Sequence, residues 1–156
     1  MSAARSRRPV LVLGIGNILL CDEGVGVRVI EQMQKMRLPD YVELVDGGTA
    51  GTDLMGVLAE RQKVIVIDAV RADCQPGTVL RFTVDDLVRP DRVDMSLHEL
   101  GLGEALTMTR QLGCEPGEVV VFGIKPKDIG CGLELSQEIA ALVPRVVELV
   151  LVEIAK

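Results

Sequence analysis

The apolar positions of this chain fall first in short unbroken runs, then at helical spacing, and then in runs again. Residues 10–13, Val-Leu-Val-Leu, form a continuous apolar stretch with two β-branched members. Such a run predicts a strand buried on both faces, as in a parallel sheet. From Glu23 the spacing changes: Val25, Val29, Met33 and Met36 recur on one helical face, which predicts a helix over 23–36. Leu38-Pro39-Asp40 ends it. Residues 41–45 predict a second strand, 52–61 a short helix with Leu54, Val57 and Leu58 inward, and 64–67 a third strand ending in Asp68. The order β-α-β-α-β argues a parallel sheet with right-handed crossovers.

The second half reads less regularly. Gln75-Pro76-Gly77 marks a turn, and residues 78–84 then alternate as a half-exposed strand does. No helix-length segment separates them from strand three, so an antiparallel edge strand is expected. Residues 85–94 are polar and irregular. Ser96 with Glu99 makes a capping box, and Met95 with Leu100 a hydrophobic staple, which predicts a helix from there to about Gln111. Residues 119–123 predict another buried strand, 125–132 a loop, and 136–154 a final helix that Pro144 should kink or divide. The whole is a three-layer α/β sandwich forming one domain over 9–156, preceded by a basic extension, 1–8, expected to be disordered.

Composition narrows the function. Of 156 residues, 48% are hydrophobic, yet there is no Trp, one Tyr and two Phe, so the core is aliphatic. Base stacking is largely unavailable, and the formal net charge of −6 argues against nucleic-acid binding. No stretch nears ~20 apolar residues, so no membrane span is expected. The basic start is not followed by the small-residue cleavage site of a signal peptide. Cys21, Cys74, Cys114 and Cys131 form no C-x-x-C pair and read as reduced thiols of a cytoplasmic protein. Cys21 sits beside Asp22 and Glu23, whose charges would raise its pKa, so a nucleophilic role is not expected.

The candidate chemistry gathers where strands end. With strand order 2-1-3 at the centre, a crevice opens at the carboxyl ends of strands one and three. Glu23 lies just beyond strand one, Asp68 ends strand three, and Asp46 ends strand two, one strand further out. His98, the single histidine, lies near a helix start, where the helix dipole disfavours imidazolium. Two carboxylates and a neutral imidazole would make a divalent metal site with open positions. Each residue also has an ordinary structural reading: Glu23 as an acid at a helix N-terminus, Asp68 as a cap on the next turn, His98 as part of an amphipathic helix. Gly14-Ile-Gly16-Asn-Ile-Leu19 faintly resembles a dinucleotide fingerprint, but lacks the third glycine and leads into two acids that would repel a pyrophosphate.

The motifs taken together resemble one family. Gly14-x-Gly16-Asn17-x-Leu-Leu-x-Asp22-Glu23-Gly24-x-Gly26, then Asp46-Gly47-Gly48-Thr49, Asp68-Ala69 and His98-Glu-Leu-Gly-Leu102 are similar, in this order, to the hydrogenase maturation endopeptidases. The resemblance spans nearly all the chain from Pro9. It implies a phosphorylase/hydrolase-like three-layer sandwich with a mostly parallel, mixed five-stranded sheet. It also implies removal of a C-terminal peptide from the precursor of a nickel–iron hydrogenase large subunit. Nickel already carried by that precursor would be the recognition signal, with other divalent ions able to take its place in crystals. The family's nickel-contacting positions fall on Glu23, Asp68 and His98. Asp22 or Asp46 would serve as general base to an attacking water, an aspartyl-type chemistry without a covalent intermediate. The competing readings are a nickel-checking module that binds the precursor without cutting it, and a dinucleotide-binding oxidoreductase domain.

Overall fold

A computed structural model describes residues 7–87 and 101–156. Its sheet has five strands in the order β2-β1-β3-β5-β4. These are β1 (Val10–Ile15), β2 (Val42–Gly48), β3 (Lys63–Ala69), β4 (Val79–Thr83) and β5 (Glu118–Ile124). All neighbours pair in parallel except β4, which runs antiparallel to β5 at the edge. Among the described residues the α-helices are α1 (Val25–Met33), α2 (Met55–Leu58), α3 (Val84–Leu87), α4 (Leu102–Gln111) and α5 (Gln137–Ile154).

Side chains alternate across a strand, and here both faces are apolar. Val10, Val12, Ile65, Ile67, Val120 and Phe122 pack on one side against α1 and α5, through Val29, Ile30, Met33, Ile139, Val146 and Val150. Leu11, Leu13, Ile15, Val64, Val66 and Val121 pack on the other against Leu54, Leu58, Leu102 and Ala105, which belong to or adjoin α2 and α4. The continuous apolar runs of the sequence are therefore strands covered twice. At the amino end of the sheet the buried Glu153 of α5 accepts two bonds from Arg81 of β4, at 2.9 and 3.0 Å. It also pairs with Lys63 of β3 at 3.0 Å. This cluster fixes the last helix to the sheet at the end opposite the candidate site.

Several elements differ from expectation. Acids Asp22 and Glu23 do not open α1; they sit in a 3-10 turn, Cys21–Gly24, that precedes it. β2 extends through Asp46 to Gly48, because Gly16 N donates to Gly48 O at 3.0 Å and carries the ladder past the expected strand end. Gly101 has φ 72°, and α4 begins at Leu102. α5 is continuous across Pro144, packed along much of its length on the sheet. Arg7 and Arg8, assigned to the extension, bond to the domain: their guanidinium groups donate to Ala59 O (2.6 Å) and Val42 O (2.9 Å). The capping box Ser96/Glu99, the staple Met95/Leu100 and His98 lie outside the described residues. No helix among the described residues is long and apolar enough to cross a membrane.

Candidate functional site

Two glycines bring the acidic turn onto the carboxyl edge of the sheet. A Cβ on Gly26, in the first turn of α1, would strike the carbonyl oxygen of Ile67 and, at 2.5 Å, that of Ile15. The helix thus starts in backbone contact with the ends of β1 and β3, an approach only glycine allows. Gly16 (φ 147°) lies against the carbonyl of Glu23 in the same way. Glu23 comes three residues before Gly26, and Asp68 directly follows Ile67. The glycine spacing of the first motif therefore holds both acids at one edge.

Glu23 lines a cleft of about 410 Å³. One wall is the chain leaving β3, Ala69 to Arg71, with Pro76. The other is the loop after β5, with Lys125, Pro126, Lys127 and Ile129. The walls are tied together: Val70 N donates to Ile124 O (3.0 Å), Gly77 N to Lys125 O (2.8 Å) and Lys125 N to Thr78 O (3.0 Å). Asp68 is only 6% exposed, falls on the same strand face as Val64 and Val66, and does not itself line the cleft. Both Glu23 and Asp68 engage other groups of the chain.

The two acids expected to move protons have unlike surroundings. Asp22 is 0% exposed, and its carboxylate accepts four bonds. Lys127 N (3.0 Å), Asp128 N (2.8 Å) and Ser136 Oγ (2.8 Å) donate to Oδ2, and Ser136 N (2.7 Å) to Oδ1. This carboxylate is enclosed and engaged by four donors. Its place suits a clamp that fastens the Glu23 turn to the cleft's far wall. Asp46 is exposed, accepts one local bond from Gly48 N at 2.9 Å, and stands opposite Gly14 of β1. Of the pair, Asp46 is the one that meets solvent at the carboxyl edge.

The surroundings of Cys21 disfavour a thiolate. Burial pushes its thiol above the usual range, and the charges of Asp128 and Asp22 push it further. All four cysteines are free thiols. Among the described residues no group of three or more His, Cys, Asp or Glu stands ready to hold a metal. A three-ligand site therefore needs a donor from outside them, as His98 would be, or from a partner.

Sequence comparison decides the family. Residues 27–153 match the family model HycI, hydrogenase maturation protease. The chain belongs to the hydrogenase maturation protease family. The hydrogenase 2 maturation protease of Escherichia coli (strain K12) is 38% identical over 144 residues, 91% of this chain and 88% of the relative. The solved structure of the hydrogenase maturating endopeptidase HybD from E. coli superposes with a TM-score of 0.84 at 36% identity, covering 94% of this chain and 91% of that one. The [NiFe] hydrogenase maturation protease HybD from Thermococcus kodakarensis gives 0.76 at 26% identity, covering 94% and 99%. This maturation protease is thus a peptide hydrolase on a mixed, mostly parallel α/β sheet. The role of Asp22 in joining two distant segments left one trace in its sequence, an acid before the Glu23 position. Its partners Lys127, Asp128 and Ser136 are more than a hundred residues away and gave none.

Proposed function

We propose that this protease removes the C-terminal peptide from the nickel-bearing precursor of a nickel–iron hydrogenase large subunit, in the cytoplasm. The observation that carries the reading is the cleft at the carboxyl edge, with Glu23 in its lining and Asp68 held to the same edge through the Gly26 contact. Glu23, Asp68 and His98 would engage nickel that arrives with the precursor. Two carboxylates and an imidazole suit nickel without selecting it strongly over zinc, so selectivity falls to the precursor's own ligands. Nickel bound there supplies Lewis-acid polarisation of the scissile carbonyl. Asp46 takes a proton from the attacking water, the C–O bond forms, and the proton passes to the departing amine as the C–N bond breaks. Asp22 holds the site together and does not itself transfer a proton.

The test is to incubate the protein with nickel-loaded and nickel-free precursor and follow the peptide's loss by mass. Cleavage of the loaded form alone is expected, and the purified protease should hold little nickel by elemental analysis. His98→Ala should bind loaded precursor more weakly while its circular dichroism stays native. Equal cleavage of both precursors, or an unimpaired His98→Ala, defeats the nickel reading. Binding of the loaded precursor without cleavage would leave a checking module in its place.

A further inference from the structure

Three large apolar side chains stand in solvent beside the cleft: Leu19 at 59% exposure, Ile129 at 47% and Leu133 at 60%. They come from two segments joined as a short parallel bridge. Gly132 N donates to Leu19 O and Cys21 N donates to Gly132 O, both at 2.9 Å, with Leu20 opposite Gly132. Leu19 and Leu133 each lie one residue from that paired position, so the bridge brings them side by side at the surface. Ile129 belongs to the same loop and also lines the cleft with Glu23. Scattered exposed apolar residues are ordinary, but a group on one lip marks a contact surface.

The lip is also held rigid. Asp22 bonds the loop at Lys127, Asp128 and Ser136, and Arg28 Nη2 donates to Leu133 O at 2.7 Å. The backbone of the 127–136 loop, which carries Ile129 and Leu133, is therefore held in place. The cleft, at about 410 Å³, has room for a short extended segment and no more. A protein substrate must be gripped by surface outside it. Stable protein interfaces bury about 800 Å² per partner and concentrate their energy in a few anchors near the centre.

We propose that the lip formed by Leu19, Ile129 and Leu133 is the docking surface for the folded hydrogenase precursor, which seats an apolar patch there and so delivers its terminal segment to the cleft. This rests on the processing function above. The lip is continuous with the cleft through Ile129, so a partner seated on it has its chain end beside Glu23. Leu112, equally exposed but at the end of α4, has no such connection.

The test compares wild type, Leu19→Ser, Leu133→Ser, the double variant and Leu112→Ser on full-length nickel-loaded precursor. KM, kcat and the precursor's Kd are measured, with thermal melts as the folding control. The double variant should raise both KM and Kd about tenfold or more, as expected for losing two interface anchors, and Leu112→Ser should stay near wild type. Because both leucines are exposed, the variants should melt with wild type; Leu19→Ala with Leu133→Ala is the milder pair. Unchanged KM and Kd in a double variant, while wild type processes normally, overturns the docking surface and leaves the function standing. A wild-type dimer in sedimentation that the double variant abolishes also overturns it, since the lip would then be covered by a second copy. Failure of wild type to process the loaded precursor removes the function and the docking surface together.

Discussion

Replacing Asp22 separates a clamp from a catalyst. In Asp22→Ala three backbone N–H groups and the Ser136 hydroxyl lose the fully buried carboxylate that accepts from them. Hydrogen bonds to a charged group contribute about 1.5–3 kcal/mol each, but rearrangement and water entry recover part of that. Leaving a neutral donor without its acceptor costs about 1–3 kcal/mol, so with part recovered a total loss of about 3–5 kcal/mol is expected here. For a domain of this size that corresponds to a fall in Tm of roughly 6–20 °C. Asp22→Asn is the sharper probe. Its carbonyl can occupy the Oδ2 position and keep three donors, while its NH₂ then faces the N–H of Ser136. It loses one bond and the charge, so a cost of about 2 kcal/mol follows. The assay is urea unfolding by circular dichroism beside precursor processing at temperatures well below Tm. A clamp predicts that Asn lowers stability by that amount and retains most processing where the protein is folded. A proton-transferring Asp22 predicts native stability with processing reduced about a hundredfold or more. The second result would refute the clamp.

Other expectations follow from the same geometry. Glu153 has its pKa lowered to about 2, first by the Arg81 hydrogen bond and then by Lys63, against an ordinary value of 4.5. A depressed carboxylate stabilises the fold above its unfolded pKa and loses that contribution as pH falls through its folded one. Glu153→Gln should therefore cost about 3 kcal/mol at neutral pH, with the gap to wild type in urea titrations closing between about pH 4.5 and 2. Gly26→Ala should lower Tm severely or prevent folding, because the added carbon meets backbone carbonyls that cannot yield. Gly103→Ala, with open space around its Cβ within α4, should gain about 0.5–1 kcal/mol in the same melts. Cys21→Ser should keep processing, measured by precursor mass shift; complete loss in a folded variant would restore the thiol as nucleophile.

Local pattern was enough to locate most of the fold. Residues 10–13, 64–67 and 119–123 could be read as doubly covered strands because burial on both faces leaves no polar alternation. The antiparallel edge at 79–83 followed from the absence of a crossover-length segment before it, and the structure has it there. The acids at the carboxyl edge were legible for a similar reason: Glu23 and Asp68 lie within a few residues of strand ends, and a parallel sheet puts all such ends together. Tertiary contacts decided the rest. Nothing near Asp22 announces donors more than a hundred residues away, so its neighbours in sequence suggested chemistry while its neighbours in space bind its carboxylate to a distant loop. β2 ran on into Gly48 because Gly16 lay beside it, and the reach of a ladder depends on its partner strand. Within the described residues α4 starts at Leu102, after Gly101 in a left-handed conformation, and the capping box lies outside them. Leu19 and Leu133 looked like two isolated loop leucines until the bridge at Gly132 brought their segments together. Sequence periodicity records which side of an element is covered; which distant segment does the covering is set by packing, and that exists only in the folded chain.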